Sequence, residues 1–192
     1  MFTALLDTCV LWPSLQRDFL LSLAAEGMYR PVWSSALLEE LEYYEALKLE
    51  QRHGATPAAA AERARNLIAQ MRDAFDDAEV DGWEGLEGSY GLPDADDEHV
   101  VAAAVVAGAG AIVTDNVKDF PFRRLPAGLE VLRPAVFAEN TVALDPARAH
   151  AAVRAMAERS GGRGPSRTVD EILGTLVKRY HLDSAVALIR AT

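Results

Sequence analysis

The segment Leu92–Phe120, LPDADDEHVVAAAVVAGAGAIVTDNVKDF, restricts the fold of this 192-residue chain more than any other stretch. It joins an acid-rich turn, a helix, a tight break, a buried strand and a second acidic turn. Pro93 and Asp94 supply a start signal, and Asp94 with Asp97 three residues on has the side-chain reach of a capping box. The spacing predicts a helix from about Asp96 to Ala107, ended where Gly108 and Gly110 permit a positive backbone dihedral. Ala111–Thr114 is a short apolar run of strand character, with Asp115 at its carboxyl end.

Asp94, Asp96, Asp97 and Glu98 crowd the start of that helix. Acids in a first turn complement the helix dipole by roughly 0.3 to 1 kcal/mol each, but one or two suffice. Four repel one another. Either they form a solvated cap, or a positive group offsets the repulsion, for which a divalent cation is the economical candidate.

The chain length suits one domain with a substantial core and a small appendage. Cys9 is the only cysteine, which excludes an intramolecular disulfide framework and fits a reducing compartment. The opening residues lack the pattern of an export signal, and no run approaches the length of a membrane span, so a cytoplasmic protein is expected. A net charge of −10 argues against general attraction to nucleic-acid phosphates. Residues 141–192, however, hold eight Lys or Arg against five Asp or Glu, so the negative excess lies wholly in the first 140 residues. A nucleic-acid substrate would need bound cations and the basic C-terminal part to offset the acidic body.

Phe2–Leu6 reads as a central buried strand, apolar on both faces, ending at Asp7. Ligands of open α/β sheets bind beyond such strand ends, although an aspartate there equally organises the turn. A helix follows from Pro13 or Ser14 to about Ala25, then a strand at Tyr29–Trp33. A second helix, capped by Ser34 or Ser35, runs through Leu47 or beyond and carries Glu39 and Glu40 in its first two turns. Either glutamate reaches toward Asp7 or is a solvated helix-face charge. Gln51–Thr56 reads as a turn and Pro57–Phe75 as an alanine-rich helix. Ala78–Val80 reads as a short strand, within an acidic loop whose Trp83 is a packing residue rather than a base-stacking platform. Glu130–Leu132 is the last strand, and Pro134 opens a helical turn ending near Asn140.

Alternating strands and helices predict an α/β domain: three α/β/α layers around a mostly parallel sheet over residues 1–140. From Asp145 only helices follow, a C-terminal helical extension over 141–192: Pro146–Ala157, Thr168–Tyr180 with a Thr168/Glu171 capping box, and Asp183–Ile189. Between them Ser160–Ser166 has linker composition. Arg163 and Arg167 there either touch phosphates or are solvated.

The motifs LLDTCVLW at Leu5–Trp12, SSALLEEL at Ser34–Leu41, LPDADDEHVVAAA at Leu92–Ala104 and AIVTDNVKDF at Ala111–Phe120, taken in order, resemble the PIN-domain nucleases. The likeness is to the VapC-like toxins of bacterial toxin–antitoxin pairs in particular. It implies carboxylates converging at the carboxyl ends of a parallel sheet to hold Mg²⁺ or Mn²⁺ for RNA hydrolysis. Carried over by position, Asp7, Glu40, Asp97 and Asp115 are the implied catalytic and metal residues. Glu40 is preferred to Glu39 because it precedes Leu41; Asp97 is preferred to Asp94 and Asp96 because Val100 then opens the apolar helix face. The family's fourth acid often falls where this chain has Asn116, so that role passes to Asp115, to Asn116 or, through water, to Asp119. Cys9 stands where many relatives carry asparagine, which changes the hydrogen bonding around Asp7.

The resemblance also implies an RNA substrate, a cognate antitoxin that blocks the acidic cleft, and a homodimer or toxin–antitoxin hetero-oligomer. Magnesium prefers oxygen ligands and keeps several waters, so a few carboxylates suffice to bind it. Zinc is disfavoured, because Cys9 and four scattered histidines give no ligand spacing. A competing expectation is a PIN-like binding module without cleavage, which Asn116 favours. A phosphatase-like or nucleotide-binding enzyme ranks third, since DTCVLWPS after the first strand is no glycine-rich phosphate loop.

Overall fold

The computed structural model describes residues 1–162 and 165–192; Arg163, one of the two linker arginines, lies outside the described residues. Its centre is β1 (Thr3–Leu6), with β2 (Arg30–Ser34) on one side and β4 (Ala111–Val113) on the other. Beyond them lie β3 (Glu79–Val80) and β5 (Glu130–Leu132), giving an all-parallel sheet of order β3-β2-β1-β4-β5. Helices flank it as α/β/α layers, as the alternation of elements predicts. Ala4, Leu5 and Leu6 are fully buried, which is why this strand reads as a continuous apolar run.

After β1 the chain moves outward through β2 and β3, then returns to lay β4 against the other side of β1. The order therefore reverses between β1 and β4, and connections leave in opposite directions there. A crevice opens at such a switch point beyond the strand ends. The pairing Leu6↔Val113 puts Asp7 level with Thr114 across that crevice, and the Asp7 amide donates to the Val113 carbonyl at 3.1 Å.

One helix went unanticipated: α1 (Thr8–Leu11), a single turn directly after Asp7. The others are α2 (Ser14–Ala25), α3 (Ser35–His53), α4 (Pro57–Ala74), α5 (Glu98–Val106), α6 (Pro134–Leu144), α7 (Pro146–Arg159), α8 (Val169–Tyr180) and α9 (Asp183–Arg190). The Ser34 side chain caps α3 by accepting from the Leu37 amide. That helix continues through Gln51–His53, where a turn is expected from sequence, and stops at Gly54, whose φ of 62° no side chain opposes. Helix α6 likewise runs past Asn140 to Leu144. Of the two glycines before β4, only Gly108 has a positive φ, 63°; a Cβ at Gly110 would stand 2.6 Å from the half-exposed Phe2 ring, which would have to turn aside.

The Thr168/Glu171 capping box forms as the sequence predicts. Ile172, Leu173 and Leu176 of α8 and Ala185, Val186 and Ile189 of α9 join the same buried core as the sheet. Arg159 of α7 ties this region to α2 through Asp18 at 3.0 Å and Ser22 at 2.8 Å. Among the described residues, no helix is long and apolar enough to cross a membrane.

Candidate active site

A cleft of about 530 Å³ opens at the switch point, walled by Asp7, Glu40, Asp94, Asp96, Asp97 and Asn116 among others. Three segments far apart in sequence thus bring Asp7 from the end of β1, Glu40 from α3 and Asp97 from the turn before α5 to one cavity. Asp115 is not part of that wall. Its carbonyl accepts from the Arg133 guanidinium at 3.3 Å. Asn116 occupies the cleft in its place, and Asp119 lies near enough for its charge to act on Asp97.

Asp7 is almost fully buried, and its Oδ2 is fixed from two directions. The hydroxyl of fully buried Thr114 donates to it at 2.5 Å and the Cys9 thiol at 3.2 Å. The same Thr114 oxygen accepts from the Asn116 amide at 3.0 Å, and Cys9 Sγ accepts from the Asp115 amide at 3.3 Å. The chain after β4 is thereby locked to the strand-end aspartate. Thr114 escaped the sequence reading as a site residue, although its place at the strand end, facing the end of β1, is the signal that marks it.

Burial, reinforced by the neighbouring Asp7 charge, pushes the Cys9 thiol up to about 12. It is a hydrogen-bond donor rather than a nucleophile at neutral pH. Native protein at pH 8 is therefore expected to resist iodoacetamide for hours, while protein in guanidinium is alkylated within minutes. Mass spectrometry showing equal rates in both states would contradict this.

The four acids at the start of α5 do not act alike. A capping box is not what forms: Asp94 Oδ1 accepts from the Asp96 amide at 3.0 Å, and Ala95–Asp97 is a 3-10 turn. Asp97 makes no side-chain cap bond, which leaves its carboxylate for the cleft. Glu98 is buried and turned the other way, accepting from the amides of Tyr90 at 2.9 Å and Leu92 at 2.8 Å. Burial raises the Glu98 pKa, but those amides with Gly91 and Gly88 outweigh it and hold the carboxyl below its usual range. One acid of the cluster therefore anchors the preceding loop.

Asp97 is pushed up to about 6, first by burial and then by the charges of Asp7, Asp94, Asp119 and Glu40. Asp115 is also raised by burial, with Arg133 opposing and Asp7 reinforcing the shift. Elevation by crowded carboxylates is what a cation would relieve, and the donors are hard oxygens suited to magnesium or manganese. Among the described residues, no three His, Cys, Asp or Glu side chains stand close enough to hold a metal ion as they lie. The donor set thus fits a cation that keeps part of its water shell, not a closed protein cage.

Behind the site, three side chains satisfy the last carbonyls of α1. Gln16 donates to Val10 at 3.1 Å, Arg17 to Leu11 at 2.8 Å and Lys48 to Trp12 at 3.1 Å. A one-turn helix cannot satisfy these carbonyls itself. Arg17 and Lys48 converge on Glu45, at 3.6 and 2.5 Å, in a largely buried trio. At the other end Thr8 donates to the Leu37 carbonyl at 3.3 Å. The turn that follows Asp7 is thus held from both flanking helices. His99 also lines the cleft; its ring lies 5.9 Å from that of Trp83, and its Nδ1 is buried and unpartnered among the described residues.

No curated protein and no solved structure matches the chain. A family model described as PIN domain matches residues 3–118, more than half of the chain, and spans β1 to the turn after β4. Every segment that contributes Asp7, Glu40, Asp97 or Asn116 to the cleft lies within that match, and the chain belongs to the PIN domain family.

Proposed function

We propose that this protein is a metal-dependent endoribonuclease that hydrolyses RNA phosphodiester bonds, and that it is the toxin of a toxin–antitoxin pair. PIN domains are generally nucleases and usually use divalent metal ions. The observation that carries the reading is the gathering of Asp7, Glu40 and Asp97 in one crevice at the sheet's switch point. The burial and mutual repulsion that together raise Asp97 support it.

Asp7, Glu40 and Asp97 are the residues to hold Mg²⁺ or Mn²⁺. Asn116 completes the set more readily than Asp115, because only Asn116 lines the cleft. A bound divalent ion supplies an activated water and neutralises charge on the phosphate. The chain's own residues prepare for this. Thr114 and Cys9 hold one Asp7 oxygen and so orient the other. Asn116, being neutral, offers an amide donor and acceptor without adding to the repulsion of a phosphate. In the metal-free state the five carboxylates of the cleft wall, Asp7, Glu40, Asp94, Asp96 and Asp97, repel an RNA backbone, so binding and cleavage are expected to share one metal dependence.

The cleft's acidity also suits a cognate antitoxin that inserts a basic side chain, and a homodimer or toxin–antitoxin hetero-oligomer is part of this proposal. So is the division into a nuclease domain at 1–140 and a helical extension at 141–192. Asn116 on the cleft wall is the feature that favours the second reading, a PIN-like binding module without cleavage.

The test uses purified protein freed of any antitoxin, total cellular RNA, and magnesium or manganese, with an EDTA control. Discrete cuts are expected from wild type, with a loss on the order of 100-fold or more in Asp7→Asn. Identical cutting by wild type and variant would expose a contaminant. Metal-dependent RNA binding without cuts would favour the binding module.

A further inference from the structure

Two large aromatic side chains, Trp12 and Tyr44, share the acidic cleft with Asp7, Glu40 and Asp97. Their placement follows from the chain. Trp12 ends the turn that Asp7 begins, and Tyr44 lies one helical turn beyond Glu40, on the same face of α3. The Trp12 Nε1 donates to the Tyr44 carbonyl at 3.2 Å, which fixes the indole against α3. Lys48 Nζ and the Arg52 guanidinium lie 5.3 and 5.1 Å from its ring centroid. Lys48 spends its three donors on Glu45, Ser14 and the Trp12 carbonyl, so it has none left for a phosphate. Arg52 is exposed.

Packing explains these rings only in part: Trp12 is partly buried against the hydrophobic core, and Tyr44 meets the Tyr43 ring at 5.3 Å. Tyr44 is 45% exposed at the cavity, whereas Trp33 and Trp83 are buried. An immobilised indole and an exposed phenol beside an arginine, on the wall of a cleft built for phosphate chemistry, match a nucleotide whose base is unpaired. Aromatic faces stack bases, and a guanidinium offsets the adjoining phosphate. The geometry points to a base-stacking subsite: Trp12 and Tyr44 hold an unstacked RNA base next to the scissile phosphate, with Arg52 at the neighbouring phosphate. The subsite rests on the ribonuclease reading of the carboxylates, and it makes single strands the substrate, because duplex bases are already stacked.

Binding and cleavage are measured separately. With calcium in place of magnesium, a short single-stranded oligoadenylate is expected to quench tryptophan emission, since Trp12 is the partly exposed tryptophan. Trp12→Ala and Tyr44→Ala each weaken that binding by roughly 5- to 100-fold, while Trp12→Phe and Tyr44→Phe stay within a few-fold. An oligomer with abasic riboses binds wild type as weakly as the intact oligomer binds Trp12→Ala. With magnesium, the alanine variants raise KM more than they lower kcat. Equal binding of intact and abasic oligomers, or Tyr44→Ala and Trp12→Ala behaving as wild type, would overturn the subsite even if wild type cleaves. Base-dependent quenching with no cleavage by wild type would instead overturn the nuclease reading and leave the subsite standing.

Discussion

Asp97→Asn is expected to eliminate metal-stimulated cleavage and, at the same time, to raise the melting temperature of the metal-free protein. The two effects share one cause. Burial and four neighbouring carboxylates push Asp97 to about 6 from an ordinary 3.8, so near neutral pH the folded chain carries a charge it disfavours. The sign follows from linkage: a carboxyl whose pKa is raised on folding contributes stability that is full below 3.8 and is lost as pH rises through about 6. Asparagine removes the charge at every pH. Because Asp97 is only partly buried, solvent screening cuts the gain to about 1 kcal/mol, or roughly 2 to 4 °C in a chain of this size. Scanning calorimetry at pH 7 and pH 4 measures it. The gap between variant and wild type should close at pH 4, and saturating magnesium should narrow it at pH 7. A variant less stable than wild type at pH 7 would show that Asp97 is structurally required and not merely tolerated.

The opposite outcome is expected behind the site. Glu45→Gln leaves Arg17 and Lys48 facing each other in a largely buried pocket without their shared carboxylate. Burial lowers the pKa of both cations and Glu45 opposes that shift, so its loss exposes the full cost of desolvation. Breaking a buried pair from one side costs about 3 to 5 kcal/mol. Urea unfolding followed by far-ultraviolet dichroism should show that loss at unchanged m-value. A triple change, Arg17→Met, Glu45→Met and Lys48→Met, is expected to recover part of it, because no uncompensated charge then stays behind. Cleavage should fall in the single variant beyond what instability explains, since Arg17 and Lys48 also hold the carbonyls that follow Asp7. If Glu45→Gln unfolds at the wild-type midpoint, the trio is solvated in solution.

The layers of the fold were legible because each rests on a local pattern. Leu5 and Leu6 lie in a short run that is apolar on both faces, Ser34 is placed to cap, and Thr168 with Glu171 forms the box its spacing announces. Asp7 and Asp97 were legible as candidates for a related reason, since strand ends and first turns are where a parallel sheet displays side chains. The role of each acid was not. Asp97 stood apart from Asp94 and Asp96 only by its distance from Val100, and nothing local set Glu98 apart; folding turns Glu98 inward to Tyr90 and Leu92 and leaves Asp97 in the cleft with Asp7. Likewise nothing in the three-residue spacing of Glu45 and Lys48 reports that Arg17 will arrive from another helix to join them in a largely buried trio.

The sequence by itself determined which segments are strands and which acids stand at their ends, because periodicity and charge are properties of neighbouring residues. The tertiary structure alone decided that Asn116 and not Asp115 faces the cleft, that Thr114 and Cys9 orient Asp7, and that Trp12 meets Tyr44. Each of these depends on the parallel register of β1 and β4 or on the approach of α3 to the turn after Asp7. Such contacts join residues separated by tens of positions, and their geometry exists only once the sheet has closed.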